Sequence, residues 1–108
     1  CKLKLKRFMS ISRLKESINY AHSLGLKIVI GDGLGSEINC WMEAKIANGL
    51  IENAGEYNGF LKIKPEARIL SDPIKFQDGF FIIPNNWKLE IDRDKLEKYS
   101  INKEVIYK

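Results

Sequence analysis

The sequence predicts an α/β fold in which strands and helices alternate in the order β-α-β-α-β. Three observations predict it. Residues 2–6 alternate lysine with leucine, apolar residues then recur at helical spacing as far as Ala21, and residues 26–30 are apolar apart from Lys27. The alternating run indicates a strand with one apolar face, and the continuous apolar run indicates a strand covered on both faces, as in a parallel sheet.

Composition bounds the chain to one modest soluble domain. Its 108 residues are 44% hydrophobic and 30% charged, and no apolar run approaches the length of about 20 residues that crosses a bilayer. No signal peptide is recognisable, so we expect a cytoplasmic protein. Cys1 and Cys40 lack the spacing of a metal or disulfide motif and are expected to be free thiols. The net charge of +4 is dispersed, which favours neither a nucleic-acid nor a membrane partner.

Two helices are predicted between the strands. Ser10 or Ser12 begins the first, and Gly25 is placed to end it. The second helix is predicted from Ser36 to about Asn48. Its expected apolar stripe consists of Ile38, Trp41, Met42 and Ile46.

The remaining elements are a third strand, a hairpin and a short helix. Residues 59–64 again alternate lysine with apolar residues and are predicted to form the third strand. Asp78 and Gly79 predict a hairpin turn between strands at 74–77 and 80–83. Asp92 is a favourable cap for a helix over residues 93–99.

The glycine-rich turn after the second strand is the most distinctive stretch. Gly31, Gly33 and Gly35 allow the backbone to approach a bound group, and the following helix N-terminus attracts anions. The sequence therefore favours a phosphate or carboxylate site here, and the alternative is a tight corner without a ligand. The alternative function is a non-catalytic phosphate- or nucleotide-binding module that uses the Gly31–Gly35 turn. The match to the dinucleotide-binding motif is incomplete, because Ser36 stands where that motif has its third glycine.

Several segments, in this order and spacing, resemble the enolase superfamily. They are residues 2–6, 21–33, 42–44, 54–62 and the hairpin that ends at residue 84. The closest branch is that of mandelate racemase and muconate lactonizing enzyme, and the resemblance covers the whole chain but only the last third of a family member. It implies that residues 1–64 form strands six to eight of a TIM-type barrel, as three parallel strands with the two helices between them. Residues 65–108 would then form a β-hairpin and a segment of the capping domain. The opening at Cys1, without methionine, is expected of a fragment.

The resemblance implies an isomerase, cycloisomerase or dehydratase. Such enzymes remove the proton α to a carboxylate while Mg²⁺ stabilises the enediolate. The family's metal ligands lie on strands three to five, so none is assigned in this chain. The expected substrate is a small carboxylate. The expected partner is the remainder of the barrel and capping domain, present either as a companion chain or as a missing part. The complete enzyme is expected to be a homo-oligomer.

The resemblance also implies the candidate site residues. Lys4 matches a general acid/base lysine, with Lys6, expected on the same strand face, as the alternative; otherwise both simply coat a solvated face. Asp32 is expected to orient a substrate or a lysine, and the alternative is a local hydrogen bond within the turn. Gly33 belongs to the same site, and Lys62 suits an anionic substrate. The family's histidine–aspartate dyad is absent, which disfavours two-base racemization. Glu56 and Asn58 are expected to be structural, and His22 is expected to be a surface residue.

Overall fold

A computed structural model describes residues 1–31 and 35–106. Within these ranges it contains four α-helices and two separate two-stranded sheets. The helices are α1 (Leu5–Phe8), α2 (Ile11–Ser23), α3 (Glu37–Ala47) and α4 (Arg93–Tyr99). The strands are β1 (Lys2–Leu3), β2 (Val29–Ile30), β3 (Lys75–Gln77) and β4 (Phe80–Ile82).

The first sheet is parallel, and α2 connects its two strands. Lys2 pairs with Val29 and Leu3 pairs with Ile30. Beyond β2, a single parallel bridge joins Gly31 to Glu56, through a hydrogen bond of 2.9 Å from the Glu56 amide to the Ile30 carbonyl. The first β-α-β unit of the predicted order is therefore present, with much shorter strands than expected.

The prediction of three parallel strands forming part of a barrel was wrong. Residues Gly59–Lys62 form a 3-10 helix instead of a strand. Phe60 is 1% exposed, and in a strand it would share a face with Lys62 and Lys64. Burying Phe60 in a strand would therefore also bury lysines, whereas the 3-10 turn leaves Lys62 exposed. The described residues include a hairpin after this region, as predicted, but no barrel.

The strand over residues 2–6 was also predicted too long. Lys4 is extended, with φ −136° and ψ 126°, and α1 begins directly after it. The amide of Leu5 donates a hydrogen bond to the Glu43 side chain rather than to a neighbouring strand. Lys6 therefore lies in a helix and does not continue the strand face that carries Lys2 and Lys4.

The boundaries of α2 follow the predicted local signals. The Ser10 side chain accepts a hydrogen bond of 3.2 Å from the Arg13 amide, which satisfies one of the first free amides of the helix. Gly25 follows the helix with φ +70°, a conformation that glycine adopts without steric cost. Leu14, Ile18 and Ala21 are buried, as their spacing predicts, whereas Ile11, the first residue of the same predicted stripe, is exposed.

Helix α3 is present and buries Ile46 as predicted, but the rest of its predicted apolar stripe is not fully buried. Ile38, Trp41 and Met42 are only half-buried. The fully buried face instead includes two carboxylates, Glu37 at 2% exposed and Glu43 at 1%. Ser36 precedes the helix without a side-chain capping bond.

One hydrophobic core lies between the sheet and the helices. It covers the face of the sheet opposite Lys2 and Lys4. Its buried members are Leu5, Leu14, Ile18, Ala21, Ile28, Ile30, Ile46 and Ala47. Burial of this face fixes which side of β1 and β2 is left for polar side chains.

The C-terminal segment contains the predicted hairpin and helix. Asp78 and Gly79 both have positive φ, as the turn between β3 and β4 requires. The Asp92 side chain accepts a hydrogen bond of 3.1 Å from the Lys95 amide and caps α4. The segment is attached to α3 at Leu70, whose amide donates to Glu37, and at Trp87, whose ring packs on Trp41 with centroids 5.6 Å apart.

No helix in residues 1–31 and 35–106 is long and apolar enough to span a membrane.

Candidate functional site

The candidate site lies where β1 and β2 end side by side. The Gly31 amide donates a hydrogen bond of 3.0 Å to the carbonyl of Leu3, the residue before Lys4. The pairing of β1 with β2 ends there, because the Leu5 amide donates to Glu43 instead of to Gly31. Gly31 is buried and is the first of the three alternating glycines in the sequence. The carboxyl ends of parallel strands are where α/β proteins place ligands. Asp32 and Gly33 follow at once in sequence but lie outside the described residues.

Of the two candidate lysines, Lys4 is the one at this edge. It is half-buried, and its side chain has no hydrogen bond or ion pair with another described residue. Lys6 is exposed on α1, two residues further along the chain. The structure thus separates two lysines that the sequence placed on one strand face.

Lys62 and His22 lie elsewhere. Lys62 is exposed at the end of the 3-10 turn. His22 is exposed near the end of α2, where its Nε2 atom is 2.9 Å from the Leu50 carbonyl oxygen, and the surface position predicted for it is confirmed.

Lys2 and Glu56 form an ion pair that the sequence did not predict. A Cβ atom added to Gly31 would overlap Cε of Lys2 and lie 3.3 Å from a Glu56 carboxylate oxygen, so the pair passes directly over this glycine. Glu56 was interpreted as structural, because the third strand was expected to begin after it. The alternation of lysines in residues 2–6 did identify the correct face of β1.

Glu43 is the second residue that the sequence analysis missed. Its Oε1 atom accepts a hydrogen bond of 3.1 Å from the Leu5 amide, at the junction between β1 and α1. The available signal was its spacing, since Glu37, Cys40, Glu43 and Ala44 recur three and four residues apart and therefore share one face of α3. A carboxylate in a helix face that also carries Ala and Cys is expected to be paired.

Tyr57 lies next to this carboxylate. Burial, and secondarily the negative charge of Glu43, raise the pKa of Tyr57 to about 12 from 10.0. The phenol therefore stays protonated at neutral pH. The Tyr57 ring lies directly over Gly55, where an added Cβ would overlap it.

The described residues do not form a magnesium site. Residues 1–31 and 35–106 contain no group of three or more His, Cys, Asp or Glu side chains close enough to hold a metal ion. The two buried carboxylates accept hydrogen bonds from separate amides, those of Leu70 and Leu5. What the described residues offer chemically is an amine, on Lys4, at the residue that follows β1.

Comparison with known families, curated proteins and solved structures found no match to this chain.

Proposed function

We propose that this chain contributes an acid/base lysine and anion-binding groups to an isomerase or lyase that removes the proton α to a carboxylate. The observation that carries the proposal is the placement of Lys4 directly after β1, next to the Leu3 carbonyl that accepts the Gly31 amide. The resemblance of residues 2–6 and 21–33 to the enolase superfamily assigns chemistry to the same two segments. Isomerization, cycloisomerization and dehydration all pass through the enediolate that this proton transfer forms or consumes.

In the proposed step, the neutral amine of Lys4 takes the proton from the α-carbon. The C–H electron pair moves into the carboxylate, which becomes an enediolate, and Lys4 becomes an ammonium group that can return a proton. The Lys4 side chain is half-buried and is not engaged in an ion pair with a described residue, so its amine is available to a substrate. Asp32 and Gly33 remain the proposed substrate contacts of the turn, with Lys62 as a further anion partner.

The proposal requires residues from elsewhere. Mg²⁺, if it takes part, is held by side chains outside the described residues, since these form no metal site. A companion chain or a longer polypeptide would supply them, and the complete enzyme is proposed to be a homo-oligomer. We propose a cytoplasmic location because Cys1 and Cys40 are both free thiols.

The phosphate-binding alternative is less well supported. A phosphate at the N-terminus of α3 would use the positive end of the helix dipole. The side chain of Glu37, the first residue of this helix, is 2% exposed and already occupies that end. A carboxylate there competes electrostatically with a bound anion.

The test is exchange of α-protons in deuterium oxide. The native particle that contains this chain is incubated with Mg²⁺ and a panel of 2-hydroxy and 2-amino carboxylates, and deuterium incorporation at the α-carbon is followed by proton NMR. We expect exchange for at least one member, and we expect Lys4→Ala to lower its rate by roughly 100-fold or more. The matched control is Lys15→Ala, on the exposed face of α2, which leaves the rate unchanged.

Two outcomes contradict the proposal. One is a wild-type particle that exchanges no α-proton in the panel, and the other is a Lys4→Ala variant that exchanges as fast as the control. Inorganic phosphate that shifts amide resonances of residues 35–38 in the same particle would favour the alternative instead.

A further inference from the structure

A carboxylate from a different helix holds the backbone that follows Lys4. The Leu5 amide donates to Oε1 of Glu43 at 3.1 Å, and both residues are buried, at 9% and 1% exposed respectively. The two residues are 38 positions apart in sequence. The contact therefore joins the end of β1 to the middle of α3.

The chain changes conformation at the residue this contact holds. Lys4 is extended and Leu5 is helical, and the Lys4 side chain makes no capping hydrogen bond to the new helix. An amide in the first turn of a helix has no partner within that helix. Glu43 supplies the missing acceptor from outside, which fixes the point at which the backbone leaves the strand.

We propose that Glu43 is the positioning residue for Lys4. By accepting the Leu5 amide, it fixes the backbone at the residue that follows Lys4, and with it the position from which the Lys4 side chain extends. This inference rests on the proposed function in one respect, namely that Lys4 is the group whose position matters. The anchoring itself is independent of any reaction.

The chain offers a matched control on the same helix. Glu37, six residues before Glu43, is 2% exposed and accepts a hydrogen bond of 3.3 Å from the Leu70 amide. It is a buried carboxylate of the same kind that holds the C-terminal segment instead of β1. Changing Glu37 therefore removes a similar contact and leaves the Lys4–Leu5 junction in place.

The experiment compares Glu43→Ala, Glu43→Gln and Glu37→Ala in the native particle. Two quantities are measured without any substrate. The first is hydrogen exchange at the Leu5 amide, by NMR. The second is the rate at which N-hydroxysuccinimide acetate acylates Lys4, relative to Lys15, by mass spectrometry. The rate of α-proton exchange is then measured as a function of carboxylate concentration, which separates kcat from KM.

We expect Glu43→Ala to speed exchange of the Leu5 amide by roughly tenfold or more, because a buried amide loses its acceptor. The Lys4 acylation rate should change by at least threefold. Displacement of the amine should lower kcat by roughly 10-fold to 100-fold with little effect on KM. Glu43→Gln keeps an acceptor oxygen and should restore all three quantities to within about threefold of wild type.

The proposal is overturned if Glu43→Ala leaves Leu5 exchange and Lys4 acylation at wild-type values, or if Glu37→Ala changes them equally, since the effect is then general destabilisation. If Glu43→Ala does not fold, hydrogen exchange in the wild-type protein is the test. A Leu5 amide that exchanges as fast as a solvent-exposed amide would contradict the hydrogen bond to Glu43. Altered Lys4 acylation in a particle that exchanges no α-proton would support the anchor and refute only the proposed reaction.

Discussion

At the scale of single residues, the Lys2–Glu56 ion pair has room to form because position 31 is a glycine, with no side chain beneath the pair. A Cβ at position 31 would overlap Cε of Lys2, but that atom is the far end of a flexible chain that can move. We therefore expect Gly31→Ala to displace Lys2 from Glu56 rather than to prevent folding. The pair is exposed, so the loss should cost about 1 kcal/mol or less in the free energy of unfolding.

Chemical denaturation of Gly31→Ala, Lys2→Ala and the double variant measures this dependence. In the Lys2→Ala background the cost of Gly31→Ala should disappear, because the displaced atoms are already gone. A cost of 3 kcal/mol, or the same cost in both backgrounds, would show that Gly31 is required for a different reason.

Tyr57 gives a prediction for alkaline pH. Its pKa is raised in the folded protein, to about 12 from 10.0, so the folded state holds the phenol proton more tightly than the unfolded state does. The resulting stabilisation is fully present below pH 10 and is lost as the pH rises toward 12. Tyr57→Phe cannot release this proton, so its unfolding free energy should fall less steeply over that interval.

The measurement is the midpoint of urea unfolding at intervals from pH 8 to pH 12, for wild type and Tyr57→Phe. Tyr20→Phe is the control, since Tyr20 is 68% exposed. Parallel curves for wild type and Tyr57→Phe would mean that Tyr57 has no raised pKa in the folded protein.

At the scale of elements, the sequence predicted those whose boundaries are set locally. Helix α2 is capped by Ser10, the β3–β4 turn takes its shape from Asp78 and Gly79, and α4 begins after Asp92. In each case the deciding interaction joins residues at most three positions apart. Such interactions can be recognised without knowing the fold.

The elements that were predicted wrongly are set by distant contacts. Alternation in residues 59–64 favoured a strand, but burial of Phe60 against Phe76 and Phe81 from the hairpin imposes a 3-10 turn. The strand over residues 2–6 ends early because Glu43, far along the chain, takes the Leu5 amide. The face of Lys2 and Lys4 was predictable from β1 alone, whereas the anchoring role of Glu43 needed the position of α3.

At this scale we predict that the buried Glu37 carboxylate holds the C-terminal segment against α3. Glu37→Ala removes the buried acceptor of the Leu70 amide, and a buried donor left unsatisfied costs roughly 1–3 kcal/mol. We expect faster hydrogen exchange at Leu70 and altered fluorescence from the Trp41–Trp87 pair, while Glu37→Gln restores both. Unchanged Leu70 exchange in Glu37→Ala would contradict the attachment.

At the scale of the whole molecule, the described chain is more extended than a compact domain of its length. Its radius of gyration is 15.2 Å, against about 13 Å for a compact domain of this size. Large apolar side chains of the C-terminal segment are exposed, among them Phe80 at 74% and Ile106 at 85%. Both features agree with the proposal that this chain packs against further polypeptide.

The most direct test of the account is the native mass of the particle that carries α-proton exchange. The central claim is that this fold supplies Lys4 to a site completed by other residues. Size-exclusion fractions are assayed for exchange and weighed by native mass spectrometry. The account predicts activity only in a particle much larger than 12.4 kDa, containing a companion chain or a longer polypeptide. Exchange by a folded 12.4 kDa monomer alone would contradict it.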